Sequence, residues 1–121
     1  MRQSVDICER TFEYALRAVN LHAHLQELGN RAGWILGEQY LRAATSIGAN
    51  VEEAQAGESR ADFVHKMNVA QKEARESSYW LRLLDRSGIV RAAKLAPLLD
   101  ETKQITAILT TIVTRTKRRR A

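Results

Sequence analysis

The chain has 121 residues, the length of one domain and enough for a single hydrophobic core without stabilising disulfides or metals. It contains a single proline, few aromatic residues and one cysteine, Cys8, which excludes an internal disulfide. No apolar run reaches the roughly 18 residues of a membrane-spanning helix, and the first ten residues lack the apolar core of a secretion signal. We therefore expect a helical protein of the reducing cytoplasm.

The net charge of +5 is unevenly distributed. Residues 88–121 contain eight basic and two acidic residues, whereas the rest of the chain is close to neutral. Most of the excess lies in the final run TRTKRRRA. We interpret residues 1–114 as the folded domain and residues 115–121 as a basic C-terminal tail.

The first helix is predicted to end at Leu28, because Gly29 and Asn30 tolerate the left-handed conformation that closes a helix. Its apolar residues recur in steps of three and four, which indicates one core-facing side. The residues assigned to that side are Val5, Cys8, Phe12, Ala15, Leu16, Val19, His22 and Leu25.

The second helix is predicted to stop near Gly57. Its core-facing residues are Leu36, Tyr40, Ala43, Ile47, Val51 and Ala54. Gly48 falls inside this helix, where glycine costs roughly 1 kcal/mol relative to alanine. We expect the cost to be offset by the close approach of another backbone.

The third helix is predicted to begin at Ser59, which precedes Asp62 by three residues and can accept a hydrogen bond from a free amide of the first turn. It ends at Ser87 and Gly88. Its predicted core face alternates steps of four and three, a pattern typical of near-parallel helix packing. That face comprises Phe63, Met67, Ala70, Ala74, Ser77, Leu81 and Leu84.

The fourth helix is predicted to run from about Ala93 to about Lys117, with Pro97 in its first turn, where the missing amide does least harm. Its core face comprises Leu95, Leu98, Thr102, Ile105, Leu109, Ile112 and Thr116. Four helices with short connections predict an all-α fold, an antiparallel up-down-up-down four-helix bundle.

A polar row crosses the second helix. Ser46, Asn50 and Glu53 are spaced by four and three residues and lie beside the core-facing side. Glu73 and Glu76 stand on the third helix, so a polar set joining the two helices is expected, because unpaired buried polar groups are costly. Two interpretations stay open: a ligand or nucleic-acid site, or a structural set that fixes the turn and a subunit contact.

The segments SIGANVEEA (46–54), ESRADF (58–63), AQKEARE (70–76) and YWLRLL (79–84) together resemble the four helix bundle protein family, also called the 23S rRNA intervening-sequence protein family. The resemblance implies a four-helix bundle that forms a homopentamer and has no established enzymatic activity. It further implies a link to nucleic acid, because some members are encoded within ribosomal RNA genes and distant relatives are basic accessory proteins that bind nucleic acid and a reverse transcriptase. The residues marked as family motif are Ser46, Asn50, Glu53, Ser59, Phe63, Glu73 and Glu76.

Apolar and small residues outside the assigned core faces are consistent with subunit contacts. These are Ile35, Ala44, Ala49, Val69, Leu83, Ile108 and Val113. Tyr79 and Trp80 have two interpretations, stacking on bases or packing at an interface between helices or subunits.

No catalytic residue, metal ligand or cofactor is predicted. A di-metal centre in a bundle needs Glu-x-x-His on two helices, a motif that this sequence lacks. The strongest functional signal is a basic cluster expected to contact phosphates, aided by Arg91, Lys94 and Lys103. The cluster consists of Arg115, Lys117, Arg118, Arg119 and Arg120.

The sequence thus predicts a non-enzymatic oligomer that binds RNA or DNA as an accessory protein, with a protein partner as a further expectation and no contact with membranes. The alternative is a structural or protein-interaction scaffold with no role in nucleic-acid binding.

Overall fold

The protein is described from a computed structural model, which covers the backbone of residues 2–120 and the side chains of residues 7–119. Four helices account for most of this range: α1 (Arg2–Leu28), α2 (Arg31–Gln55), α3 (Arg60–Arg86) and α4 (Ala92–Arg120). Residues 2–120 contain no β-strand, which confirms the all-α prediction. Within the same range, no helix is long and apolar enough to cross a lipid bilayer.

Local sequence signals set the helix ends. Gly29 and Gly88 adopt positive φ angles of 69° and 76°, the left-handed conformation that glycine tolerates best. Asn30 caps α2 by accepting a hydrogen bond from a first-turn amide at 2.8 Å. Ser59 caps α3 in the same way, accepting from the amide of Asp62 at 3.1 Å. The predicted helix ends at Gly29 and Gly88 and the predicted cap at Ser59 are confirmed.

Each helix packs against its neighbours in sequence, and α1 also packs against α4, whereas α1 and α3 lie diagonally across the bundle. Gly48 of α2 packs against the backbone of Thr11, and Gly37, further towards the N-terminus of α2, packs against Leu25. The contacting residues of α1 and α2 therefore run in opposite senses along the two helices. The carbonyl oxygen of Thr11 would lie 3.2 Å from a Cβ placed on Gly48, so the predicted backbone approach is confirmed.

The core contains a directed chain of hydroxyl groups that joins three helices. The Tyr40 hydroxyl donates to Tyr14 at 2.9 Å, and the Tyr14 hydroxyl lies 2.5 Å from Thr102 Oγ1. Thr102 donates its single hydroxyl proton to the carbonyl of Leu98 at 2.6 Å, so Tyr14 must be the donor to Thr102. Both tyrosines are fully buried, and burial raises the pKa of each phenol.

The predicted core face of α1 is partly wrong. Phe12, Leu16 and Val19 are 54%, 46% and 48% exposed, and they point away from the bundle. Leu25 is buried as predicted, Cys8, Ala15 and His22 are half-buried, and the side chain of Val5 lies outside the described residues. The other buried residues of α1 in the described range are Ile7, Thr11, Tyr14, Ala18 and Leu21. This helix is apolar on two sides, and a 3.6-residue period alone does not tell which side faces the core.

The core faces of the other helices agree with prediction, with small exceptions: Leu36, Phe63 and Thr116 are only half-buried. The predicted place of Pro97 is wrong, because α4 begins at Ala92 and Pro97 falls in its second turn. Without a proline amide, the carbonyl of Ala93 has no helical donor. Since Ala93 is exposed, water can supply that hydrogen bond.

Candidate nucleic-acid interface

The C-terminal end of α4 carries the predicted basic cluster as part of the helix, which continues to Arg120. Arg115, Lys117, Arg118 and Arg119 are all exposed, whereas the side chain of Arg120 lies outside the described residues. Arg115, Arg118 and Arg119 are spaced by three and four residues and share one side of the helix, whereas Lys117 points to the opposite side. The last buried residue of α4 in the described range is Val113, so this end of the helix extends past the core.

The charges of this basic end are not neutralised by the described part of the chain. The ion pairs found among residues 7–119 involve Arg10 with Glu101, His22 with Glu38, and Arg42 with two glutamates of α3. Cations at a helix C-terminus stabilise the helix dipole, but Arg115 and Arg119 are four residues apart and repel each other. An anion bound to this end of α4 would relieve that repulsion.

A basic residue of α3 lies near the same end and escaped the sequence reasoning. Gln71 of α3 donates to Thr110 of α4 at 2.6 Å, which fixes the alignment of the two helices. Lys66 precedes Gln71 by five residues and Arg115 follows Thr110 by five, so each cation lies about 8 Å along its own helix from this hydrogen bond. The only sequence signal was the slight basic excess of the third helix.

The predicted supporting cations are not all close to the basic end. Lys94 lies 21 residues before Arg115, which corresponds to about 30 Å along one helix. It borders an open cleft of about 250 Å³ between α1 and α4, and Arg91 lies just before the start of α4. The cleft is lined by Arg17, Asn20, Leu21, Lys94, Pro97 and Leu98. Arg91 and Lys94 therefore belong to the opposite end of the bundle.

The hydrogen bond found in the polar row of α2 joins two residues of the same helix. Asn50 donates through Nδ2 to the backbone carbonyl of Ser46 at 2.9 Å, and both residues are half-buried. Glu53 is exposed. In the described residues, no hydrogen bond joins this row to Glu73 or Glu76 on α3.

The polar link between α2 and α3 is formed instead by Arg42, which sequence reasoning missed. Arg42 donates to the carboxylate of Glu76, and its Nη1 lies 3.9 Å from Oε1 of Glu73. Glu76 also accepts a hydrogen bond from Trp80 Nε1 at 3.0 Å. Arg42 lies outside the apolar face of α2, so no periodic signal singles it out, and its partners depend on tertiary packing.

Glu73 is held in an unfavourable environment. Its Oε1 is buried and has no hydrogen-bond partner among the described residues. Burial raises the pKa of this carboxyl, the neighbouring Glu76 raises it further, and Arg42 and Lys72 partly oppose the shift. This arrangement is a half-satisfied structural cluster at the α2–α3 contact.

The remaining candidates have packing roles. Phe63 is half-buried against the core, and Ser59 caps α3. Burial and the charge of Glu52 both raise the pKa of the Cys8 thiol, which disfavours the reactive thiolate. Among the described residues, no three His, Cys, Asp or Glu side chains are grouped to hold a metal ion.

Comparison with known proteins agrees with this architecture. The family model described as 23S rRNA-intervening sequence protein matches residues 3–111. The chain belongs to the 23S rRNA-intervening sequence protein family. Its matched range covers α1, α2 and α3 and ends before Arg115, so the basic end of α4 lies beyond it.

A solved structure supports the same family assignment. It is a crystal structure of a protein with unknown function from the S23 ribosomal protein family of Bacteroides thetaiotaomicron. That protein is 35% identical to this member of the 23S rRNA-intervening sequence protein family and superposes with a TM-score of 0.85. The match covers 93% of this chain and 98% of the other. No curated protein matches the sequence.

Proposed function

We propose that this protein is a non-enzymatic, oligomeric accessory protein of the cytoplasm that binds RNA through the phosphate backbone. The observation that carries the proposal is the exposed basic end of α4, where Arg115, Lys117, Arg118 and Arg119 form no ion pair with another described residue. RNA is favoured over DNA because the family is named for an intervening sequence of ribosomal RNA.

The chemistry of this end suits the phosphate backbone and not particular bases. Lysine and arginine side chains that neutralise phosphates release counterions, so binding weakens steeply with salt and carries little sequence information. Lys117 points away from Arg115, Arg118 and Arg119, so the four charges together do not match the planar edge of one base. We expect similar affinity for RNAs of unrelated sequence.

Assembly would strengthen such contacts. The proposed quaternary structure is an up-down-up-down bundle that forms a homopentamer, with the five basic ends at one face of a ring. Several weak contacts on one RNA raise the overall affinity without any new interaction, provided that the RNA can reach them together.

The test compares two variants with the same net charge. Arg118→Gln combined with Arg119→Gln removes two charges from the basic end, whereas Arg17→Gln combined with Arg31→Gln removes two exposed charges elsewhere. RNA affinity is measured over a salt series by fluorescence anisotropy. We expect the first variant to bind RNA more weakly than the second. On single-stranded RNA, the slope of log affinity against log salt concentration should become less steep by about 0.7 for each phosphate contact that is lost. Equal affinities and slopes for the two variants would contradict the proposal.

The second candidate function is a protein-interaction scaffold without a role in RNA binding. It is favoured by the exposed apolar residues of α1, because a group of exposed apolar side chains marks a surface that binds another protein. In that case, the cations at the C-terminal end of α4 only stabilise the helix through its dipole. A stoichiometric protein partner retained after nuclease treatment, and retained equally by the Arg118→Gln, Arg119→Gln variant, would support the scaffold.

A further inference from the structure

Two groups of large apolar side chains lie exposed on different helices. The first, which we call the α1 patch, consists of Phe12, Leu16 and Val19, spaced by four and three residues so that they adjoin on one side of α1. Isolated apolar residues are ordinary on protein surfaces, but a contiguous group marks an interaction surface.

The second group, which we call the α3 patch, consists of Tyr79 and Leu83 of α3 with Ile35 of α2, all exposed. The hydrogen bond between Arg42 and Glu76 fixes the alignment of the two helices. Ile35 precedes Arg42 by seven residues and Leu83 follows Glu76 by seven, so Ile35 and Leu83 lie at the same level of the antiparallel pair. The three side chains therefore belong to one surface.

The two patches cannot meet within one copy of the chain. They lie on the outer sides of α1 and α3, which are diagonal in the bundle. One copy can thus use both patches at once, each with a different neighbour.

The charges beside the two patches are opposite in sign. The α1 patch is flanked on its own helix by the exposed carboxylates Glu9 and Glu13. The α3 patch is flanked by the exposed cations Arg75, Arg82 and Arg86, and the guanidinium of Arg82 lies 6.0 Å from the centre of the Tyr79 ring. The carboxylate at its border, Glu76, is paired with Arg42. Apolar surfaces with opposite charged borders are complementary, and like-charged pairings of the same surfaces are disfavoured.

We infer that the α1 patch of one copy packs on the α3 patch of a second copy, with Glu9 and Glu13 facing Arg75 and Arg82. This is a heterologous contact, in which two different surfaces of the same chain meet, so it generates rings or open chains and not two-fold dimers. The inference rests on the self-association in the proposed function and names its surfaces. It does not depend on RNA binding.

Two single variants test the contact. Leu16→Arg places a cation in the α1 patch, where it meets Arg75 and Arg82 of the next copy, and Leu83→Asp places an anion in the α3 patch, where it meets Glu9 and Glu13. Both positions are exposed in the monomer, so circular dichroism and thermal melting should show retained folding. Gln26→Arg and Asn68→Asp are the matched controls, because they add the same charges at exposed polar positions of α1 and α3 that do not adjoin the two patches.

Analytical ultracentrifugation and native mass spectrometry read out the assembly. The unmodified protein and both controls should form the oligomer, and each variant alone should be a monomer. A mixture of the two variants should form complexes that contain both chains. In the simplest of these, the intact α3 patch of the Leu16→Arg chain binds the intact α1 patch of the Leu83→Asp chain.

Several results would overturn the inference. One is a monomeric unmodified protein, and another is either variant assembling as the unmodified protein does. A Leu83→Asp homodimer alongside a monomeric Leu16→Arg chain would show that α1 patches pair with each other. A mixture that stays monomeric would exclude the contact between the two patches. RNA titration of the same samples distinguishes the two proposals. Complexes of the two variants that do not bind RNA would contradict the proposed function but support the contact between the patches.

Discussion

At the scale of single residues, the hydroxyl chain through Tyr14 offers a clear test of buried hydrogen bonding. Tyr14 is the middle member, since it accepts from Tyr40 and donates to Thr102. Tyr14→Phe leaves the buried Tyr40 donor without an acceptor, and we expect a loss of about 1–3 kcal/mol in unfolding free energy. Tyr40→Phe removes only the terminal donor and should cost about 0.5–1.5 kcal/mol.

The double variant distinguishes this hydroxyl chain from simple packing. Once Tyr14 is phenylalanine, removing the Tyr40 hydroxyl also removes the unpaired donor, so the double variant should be no less stable than Tyr14→Phe alone. Urea unfolding of the three variants gives the coupling free energy. Strictly additive losses would show that the two hydroxyl groups act independently.

A second prediction at this scale concerns Glu73. Its folded-state pKa is raised, chiefly by burial, so the native state binds more protons than the unfolded state just above the ordinary carboxyl pKa. Stability should therefore fall as the pH rises through that window. Glu73→Gln should flatten this dependence and increase stability at neutral pH, because the buried oxygen no longer carries charge. Urea unfolding across that pH range measures both effects.

The exposed Glu53 provides the control for Glu73. Glu53→Gln removes the same charge from the surface of α2 and should change stability by less than about 0.5 kcal/mol. If Glu73→Gln destabilised the protein at neutral pH, the interaction with Arg42 would outweigh the cost of burying the carboxylate.

At the scale of helices, Gly48 sets the separation of α1 and α2. A Cβ at this position would lie 3.2 Å from the carbonyl oxygen of Thr11, which is backbone and cannot rotate away. Gly48→Ala should therefore fail to give the stabilisation of about 1 kcal/mol that alanine normally brings to a helix interior. Gly48→Val should destabilise by about 1–3 kcal/mol through overpacking.

Gly37 supplies the comparison for Gly48. A Cβ there would meet the terminal Cδ1 of Leu25, the mobile end of a side chain. Because this atom can move when the side chain changes rotamer, Gly37→Ala should be tolerated better than Gly48→Ala. Thermal melting of the two variants measures the difference, and the reverse order would mean that the α1–α2 separation adjusts easily.

The same scale shows which parts of the fold the sequence could predict. The Ser59 cap and the left-handed Gly29 depend on a few consecutive residues, so local chemistry sufficed. The core face of α2 was predictable because that helix has one apolar side. The face of α1 was not, because Phe12, Leu16 and Val19 have the same spacing as the buried side. Arg42 was missed because its partners lie on α3 and are known only once the helices are aligned.

At the scale of the whole molecule, charge is divided between the two halves of the chain. α1 and α2 together contain five basic and seven acidic residues, whereas α3 and α4 contain thirteen basic and six acidic residues. Such polarity would steer the proposed anionic ligand and the proposed second copy of the chain towards the α3–α4 half. The basic end of α4 and the border of the α3 patch share this field but lie on different surfaces, so one copy can engage both at once.

The proposed assembly through the two patches predicts that stability depends on protein concentration. A contact that exists only between folded copies stabilises the native state by mass action, so unfolding should shift upwards as the protein becomes more concentrated. For a domain of this size, a tenfold increase in concentration should raise Tm by roughly 3–6 °C. The Leu16→Arg variant should melt at one temperature over the same range, whereas Gln26→Arg should keep the dependence on concentration. Differential scanning calorimetry over two decades of concentration makes the comparison. An unmodified protein with a constant Tm would mean that Phe12, Leu16 and Val19 stay exposed to water in the native state.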